Sequence, residues 1–266
     1  TGSHTLFKNI KRLAPGTYLK FANGELKTEI YWDPCDFVLD PLTETNEERL
    51  IDQFEELLIS SFKYRMVSDV PVGIFFSGGL DSTALVALLS KHFGKVNTFT
   101  IGFDNPAFDE SIYAKPIANF FKTNHTEKIL NLDETKSKLS EFYNIYDEPF
   151  YDTSGIPTSL VSEVAKENGM KVVLSSEGGD ELLAGYPRYS NYRKLGDKLF
   201  KVPYFIRKPL GNLLLLIDNT IGATSYGNRI GALGQLLKSD NWLSFYKSRI
   251  SNLTDSSVSK FTKCNP

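Results

Sequence analysis

From Val70 onward the chain alternates short apolar runs with stretches of helical periodicity. A parallel sheet requires that alternation, because each strand must be joined to the next by a crossover of a dozen or more residues. Val72–Phe76, Val96–Phe103, His125–Leu130 and Lys171–Ser175 read as strands. Thr83–Phe93, Ser111–Phe121 with Pro116 near its start, and Thr158–Asn168 read as helices, the last closed by Gly169 in a left-handed position just past its end. Leu85, Val86, Leu88 and Leu89 cover more than one helical face, so their helix should be well buried. The fold class that follows is α/β, a parallel sheet with helices on both faces.

Ahead of this core, Gly16–Phe21 and Glu25–Trp32 read as a short N-terminal β-hairpin. Asn23-Gly24 sits between them, a pair suited to a type I′ turn with positive φ at both central residues. Thr45-Asn46-Glu47-Glu48 reads as a capping box opening a helix, with Leu50, Phe54, Leu57, Leu58 and Phe62 along one face. Beyond Tyr189 the pattern is mostly helical. Residues 1–4, Thr-Gly-Ser-His, read as a vector-derived leftover, and 5–45 as hairpin and linker. The main domain is expected over 46–190, with an incomplete helical C-terminal part over 191–266.

Composition narrows the function classes. A net charge of −2 over 266 residues gives no basic field to hold nucleic acid. Cys35 and Cys264 are the two cysteines, far apart, which fits neither a disulfide framework nor clustered metal ligands and suits a cytoplasmic protein. The longest apolar run, Leu213–Ile217, is far short of the roughly 20 residues that cross a bilayer. It reads as a core helix segment in a protein without membrane partners.

The segment Gly73-Ile-Phe-Phe-Ser-Gly-Gly-Leu-Asp-Ser-Thr83 sets a Ser-Gly-Gly turn between a buried strand and a helix. Gly78 and Gly79 let backbone N–H groups approach a ligand, the helix N-terminus adds partial positive charge, and Ser77 and Ser82 add hydroxyls. Phosphate is the ligand such a turn suits. Asp81 would repel a bare phosphate but can hold Mg²⁺ bridging the phosphates; the plain alternative is that it caps the helix. Gly79 stands where a Walker A loop requires lysine, so that loop is excluded.

A second Gly-bearing turn closes the Lys171–Ser175 strand: Ser175-Ser-Glu-Gly-Gly-Asp-Glu-Leu-Leu-Ala-Gly-Tyr-Pro-Arg-Tyr189. Parallel strands end on one rim, so Ser175 to Asp180 should lie on the same rim as the first turn. Asp180 can supply a second carboxylate to Mg²⁺ and Glu177 can move a proton or orient a nucleophile. Helix-capping acids are the structural alternative.

From about Phe7 to Tyr189 the chain resembles the synthetase domain of glutamine-dependent asparagine synthetases. The matching segments are Leu13-Ala-Pro-Gly-Thr-Tyr18, Ser77–Ser82, Phe99-Thr-Ile-Gly-Phe103, Phe108-Asp-Glu110, Asp147-Glu-Pro149 and Ser175–Tyr189. The resemblance implies an ATP-pyrophosphatase fold of the adenine-nucleotide-hydrolase type. It also implies a ligase that adenylates a carboxylate, L-aspartate first among candidates, for attack by ammonia from a glutaminase domain. On that resemblance Ser77, Gly78, Gly79 and Ser82 grip pyrophosphate, Asp81 and Asp180 bind Mg²⁺, Phe75, Ile101, Ser175 and Ser176 contact ATP around adenine and ribose, and Glu177 serves acyl transfer. The hairpin then reads as the tail of a glutaminase domain.

The family's glutaminase uses an N-terminal cysteine, a place that neither Cys35 nor Cys264 holds, and the family's later lysine segment is not recognisable before Pro266. Ser176 stands where asparagine synthetases usually carry glycine. Asp147, Asp152, Ser154 and Arg188 are the residues assigned to the acceptor substrate, with a surface salt bridge the alternative for Arg188. His125, without an identifiable acid partner, reads as structural. A homodimer is compatible with the chain. The rival readings are amidation of another carboxylate such as a sugar acid or secondary metabolite, adenylation of a nucleobase or tRNA position, and a nucleotide-binding module without turnover.

Overall fold

The computed structural model describes residues 3–38, 44–107, 109–139, 141–146, 150, 152, 154–221 and 225–250. The chain divides into two compact units, Thr1–Ser176 and Glu177–Pro266. The first contains β1 (Thr17–Ala22), β2 (Glu25–Ile30), α1 (Cys35–Val38), α2 (Glu47–Arg65), β3 (Val72–Phe75), α3 (Leu80–Phe93), β4 (Asn97–Phe103), α4 (Ser111–Phe120), β5 (Asn124–Leu130), α5 (Leu132–Leu139), α6 (Phe142–Ile145), α7 (Gly155–Glu167) and β6 (Val172–Leu174). The second contains α8 (Gly179–Leu183), α9 (Pro187–Leu199), α10 (Tyr204–Ile221), α11 (Ser225–Leu237) and α12 (Trp242–Ile250).

β1 and β2 form the antiparallel hairpin, with Asn23 at φ 54 and Gly24 at φ 81 in its turn. Its apolar side chains lie open: Phe21, Leu26, Ile30 and Tyr31 are between 68% and 70% exposed. The main sheet has the order β5-β4-β3-β6, every neighbouring pair parallel. Alternation along β3 sends Ile74 and Phe76 to one face, where they pack with Leu85, Val86 and Leu89 of α3 and Ala114 and Ala118 of α4. Phe75 goes to the other face, with Phe99, Ile101 and the α7 residues Val161, Val164 and Ala165. The sheet is thus covered on both sides, as a parallel sheet must be.

Several boundaries differ from the sequence reading. The N-cap of α2 is Asn46, whose side chain accepts from Arg49 N, while Glu44 Oε1 accepts from Thr45 N and Asn46 N. The cap therefore sits one residue later than a Thr45 capping box. α4 runs through Pro116 without the interruption the sequence suggested, although a proline there removes an N–H and crowds the Ile112 carbonyl. α7 opens at Gly155, ahead of Thr158, because Pro157 in the first turn gives up an N–H that has no partner there.

In the helical unit, Leu199, Leu236 and Phe245 form the core, with Trp242 ringed by Phe200 at 5.1 Å and Phe245 at 5.5 Å and seated on Gly196. The Leu213–Ile217 run lies in α10 as a helix segment, yet Leu213 and Leu216 are exposed, so it is only partly core. Among the described residues no helix is long and apolar enough to cross a membrane.

Candidate active site

The chain leaves β3 under close control. Phe76 N donates to Phe99 O at 2.9 Å, and the buried Thr100 hydroxyl donates to Phe76 O. Gly78 then turns left-handed at φ 79. A Cβ there would lie 2.6 Å from Ala114 N and 2.9 Å from Tyr113 C, so the turn rests directly on the backbone of α4. Two independent demands, conformation and space, therefore select glycine.

The hydroxyls tie the turn to the start of α3. Ser77 Oγ accepts from Gly79 N at 3.3 Å and lies 3.1 Å from Ser82 Oγ, which donates to Gly79 O at 3.2 Å. Gly79 is the N-cap of α3 and has no side chain to cap with. The first N–H groups of a helix have no intrahelical acceptor, so those of Leu80, Asp81 and Ser82 remain available to an anion. Asp81 lies half-buried in the first turn, and the N-cap is Gly79, so Asp81 is not the helix cap. Thr83 Oγ1 is buried there with no hydrogen-bond partner among the described residues. This donor set, backbone amides and hydroxyls with one carboxylate, fits a magnesium-bound polyphosphate.

β6 is the neighbour of β3, with Ile74 opposite Leu174, so Ser175 and Ser176 leave the sheet on the rim where Ser77 leaves it. Phe75 and Ile101 are half-buried on the α7 face beside that rim, and both also serve the core. Glu177 follows Ser176 directly and begins the helical unit. There Gly178 adopts φ 93, and Asp180 occupies the first turn of α8. Asp180 O accepts from Gly185 N at 2.9 Å, and a Cβ on Gly185 would run into the Asp180 carboxylate, so that glycine is needed for close approach.

The residues assigned to the acceptor have mixed surroundings. Asp152 Oδ1 accepts from Ser154 N at 2.9 Å, and this bond holds its carboxyl below the usual carboxylate range. It thereby helps open α7, whose N-cap is Ser154. Arg188 lies over the Tyr186 ring at 4.1 Å and the Tyr189 ring at 5.6 Å as a stacked cation, with no ion pair to it among the described residues. Asp147, like Phe108, Glu148 and Pro149 of the motif segments, lies outside the described residues, as does Cys264. Cys35 is exposed. Among the described residues no three His, Cys, Asp or Glu side chains gather as for a metal ion. Magnesium on a nucleotide needs only one or two carboxylates with the phosphates themselves.

Sequence reasoning missed Thr100, which braces the turn, and Glu127, which lies beside the structural His125. Thr100, inside the Phe99–Phe103 motif, fixes with its hydroxyl the last carbonyl before Ser77; the available signal is the pair of threonines, Thr98 and Thr100, in an otherwise apolar strand. Glu127 lies two residues from His125 along the same strand face, its carboxylate 3.9 Å from His125 Nε2 with no hydrogen bond between them among the described residues. His125 Nδ1 is 3.0 Å from Thr98 Oγ1, and the ring meets Phe76 edge-on at 6.2 Å. Burial holds its pKa below the ordinary value, with Glu127 pulling the other way.

A family model for asparagine synthase matches residues 53–260. A putative asparagine synthetase (glutamine-hydrolyzing) 2 of Methanocaldococcus jannaschii is 36% identical over 208 residues, covering 77% of this chain and 39% of that protein. A putative asparagine synthetase (glutamine-hydrolyzing) of Mycobacterium tuberculosis is 36% identical over 187 residues, 70% of this chain and 28% of its own length. The asparagine synthetase (glutamine-hydrolyzing) 1 of Bacillus subtilis is 31% identical over 186 residues, with 70% and 29% covered. The chain thus spans between 28% and 39% of the length of these relatives.

Proposed function

Because the chain belongs to the asparagine synthase family, we propose that it is the ATP-pyrophosphatase part of an amide-forming carbon–nitrogen ligase, with L-aspartate as acceptor and L-asparagine, AMP and pyrophosphate as products. The observation that carries this reading is the Ser77-Gly78-Gly79 turn at the rim of a parallel sheet, opening α3 without a side-chain cap and beside the exit of β6. Fixed amides and hydroxyls of this kind stabilise charge as it develops on a departing polyphosphate.

In the reaction, a carboxylate oxygen of the acceptor attacks the α-phosphorus of ATP. The new O–P bond forms as the bond from that phosphorus to pyrophosphate breaks. Ser77, Gly78, Gly79 and Ser82 bind the leaving pyrophosphate, while Phe75, Ile101, Ser175 and Ser176 hold the adenosine. Asp81 and, on the motif match, Asp180 would hold Mg²⁺, which when bound would supply charge neutralisation for the phosphates. Ammonia then attacks the acyl carbon, the bond to AMP breaks, and Glu177 takes the proton that nitrogen sheds. The ammonia comes from glutamine hydrolysed by a separate glutaminase domain. Asp152, Ser154, Arg188 and Asp147 are assigned to the acceptor.

ATP–pyrophosphate exchange by the full natural protein, with and without L-aspartate, tests the proposal. Aspartate-dependent exchange supports it, and exchange that requires another carboxylate replaces aspartate with that acceptor. Nucleotide binding without exchange under any carboxylate would sink the ligase reading.

A further inference from the structure

We propose that Asp109 is a positioning residue for the pyrophosphate turn: by fixing the first turn of α4 it sets the wall on which Gly78 rests. The inference rests on the reading of Ser77–Ser82 given above and adds a residue to it. Asp109 Oδ1 accepts from Ser111 N at 3.0 Å and from Ser111 Oγ at 2.7 Å. Ser111 is buried and opens α4. The same carboxylate is keyed into β4, since a Cβ on Gly102 would come 2.5 Å from Asp109 Oδ1 and 2.8 Å from Ser111 Oγ. The bonds from Ser111 also hold the Asp109 carboxyl below the usual range, which keeps it an acceptor at neutral pH.

One turn further on, Tyr113 N and Ala114 N donate to Glu110 O, and it is this stretch of backbone that confronts Gly78. The path from β4 to the turn is therefore short and rigid: Gly102, Asp109, Ser111, the first turn of α4, Gly78. Where α4 meets Gly78 the contact is backbone on backbone, so a displacement of α4 is passed to the Ser77–Ser82 turn with little slack to absorb it. Groups that bind a polyphosphate lose much of their effect when misplaced by a fraction of an ångström to an ångström. Phe75 and Ile101, by contrast, pack on the α7 face, where α4 has no part.

The test is calorimetric titration of the full chain with magnesium pyrophosphate and, separately, with AMP. Asp109→Ala is expected to weaken pyrophosphate binding by about tenfold or more, with AMP binding changed less than about twofold. Asp109→Asn, which retains an acceptor for both Ser111 donors, is expected to restore most of the pyrophosphate affinity. Ser111→Ala, which removes one of the two bonds, is expected to fall between, and it serves as the probe if Asp109→Ala does not fold. In parallel, amide hydrogen exchange over 76–82 should quicken in Asp109→Ala while 97–101, short of the Phe103 N–H that Asp109 accepts from, stays protected.

Equal losses for pyrophosphate and AMP would reduce Asp109 to a general structural residue and overturn the inference, as would unchanged pyrophosphate affinity or no rescue by Asn. Wild-type protein that fails to bind magnesium pyrophosphate defeats the reading of the turn, and this inference with it. Wild-type binding that survives both alanine variants defeats the inference alone.

Discussion

Gly78 shows why single residues in this chain carry uneven weight. Its φ of 79 is one that Ala adopts only with strain, and its missing Cβ leaves room for the α4 backbone, which has no side-chain freedom to yield. Gly78→Ala is therefore expected to cost about 1–3 kcal/mol of stability and to abolish detectable magnesium pyrophosphate binding, read by urea denaturation and calorimetry. Only half of that argument is legible in sequence: paired glycines after a strand announce a special turn, but the contact with Tyr113 and Ala114 is tertiary. Asn23-Gly24 is the opposite case, since its positive φ values follow from local turn chemistry alone. His125 supplies a pH signature. Its pKa is lowered in the folded state by burial, so the unfolded chain binds the proton more readily. Stability is then full above the unfolded value near 6.5 and falls as pH drops below it. Denaturation midpoints should decline between about pH 7 and pH 5, and His125→Gln should flatten that slope; an equally steep decline in the variant would refute the assignment.

At the scale of elements, short apolar runs marked every strand of the main sheet, which is buried on both faces, and helical periodicity marked the helices that cover it. The ends were less readable. β6 has only three residues where Lys171–Ser175 suggested five; α5 has apolar residues only at its two ends, and α6, at four residues, is too short to show a period. Caps such as Asn46 depend on which of two adjacent polar residues the chain direction favours. Arg207 was invisible for a different reason: it is a cation buried to 4% exposure in an otherwise apolar setting. Its Nε donates to Val202 O at 2.8 Å, and its Nη1 donates to Leu237 O at 3.1 Å and Ser239 O at 2.9 Å, so it closes the C-terminal end of α11. Arg207→Met leaves those carbonyls unpaired and should destabilise the helical unit by about 2–4 kcal/mol. Arg207→Lys should recover little, because one ammonium cannot reproduce the planar fork.

For the molecule as a whole, the division at Ser176 and Glu177 predicts that calorimetry resolves two unfolding transitions, one for each compact unit. Arg207→Met should lower one of them and leave the other in place. Magnesium ATP at a hundredfold excess over its dissociation constant should add about 2.7 kcal/mol to the transition of the sheet unit; a single transition unmoved by nucleotide would contradict both expectations. The order of the sheet is what sequence could not supply. Strands follow one another as β3, β4 and β5, yet β6 returns to pair with β3, and only that return brings the exits of the two Ser-bearing strands side by side. Which strand a late segment joins is decided by crossover geometry over the whole sheet, and no local pattern encodes it.

The chain has two tryptophans, and they fall one to each unit: Trp32 just past the open hairpin and Trp242 seated on Gly196 between phenylalanine rings. Intrinsic emission is thus already a two-channel recorder. With Trp242→Phe the remaining signal follows the N-terminal segment alone, with Trp32→Phe it follows the helices alone, and the difference between the two melting traces reads out, without any added dye, which part of the molecule lets go first.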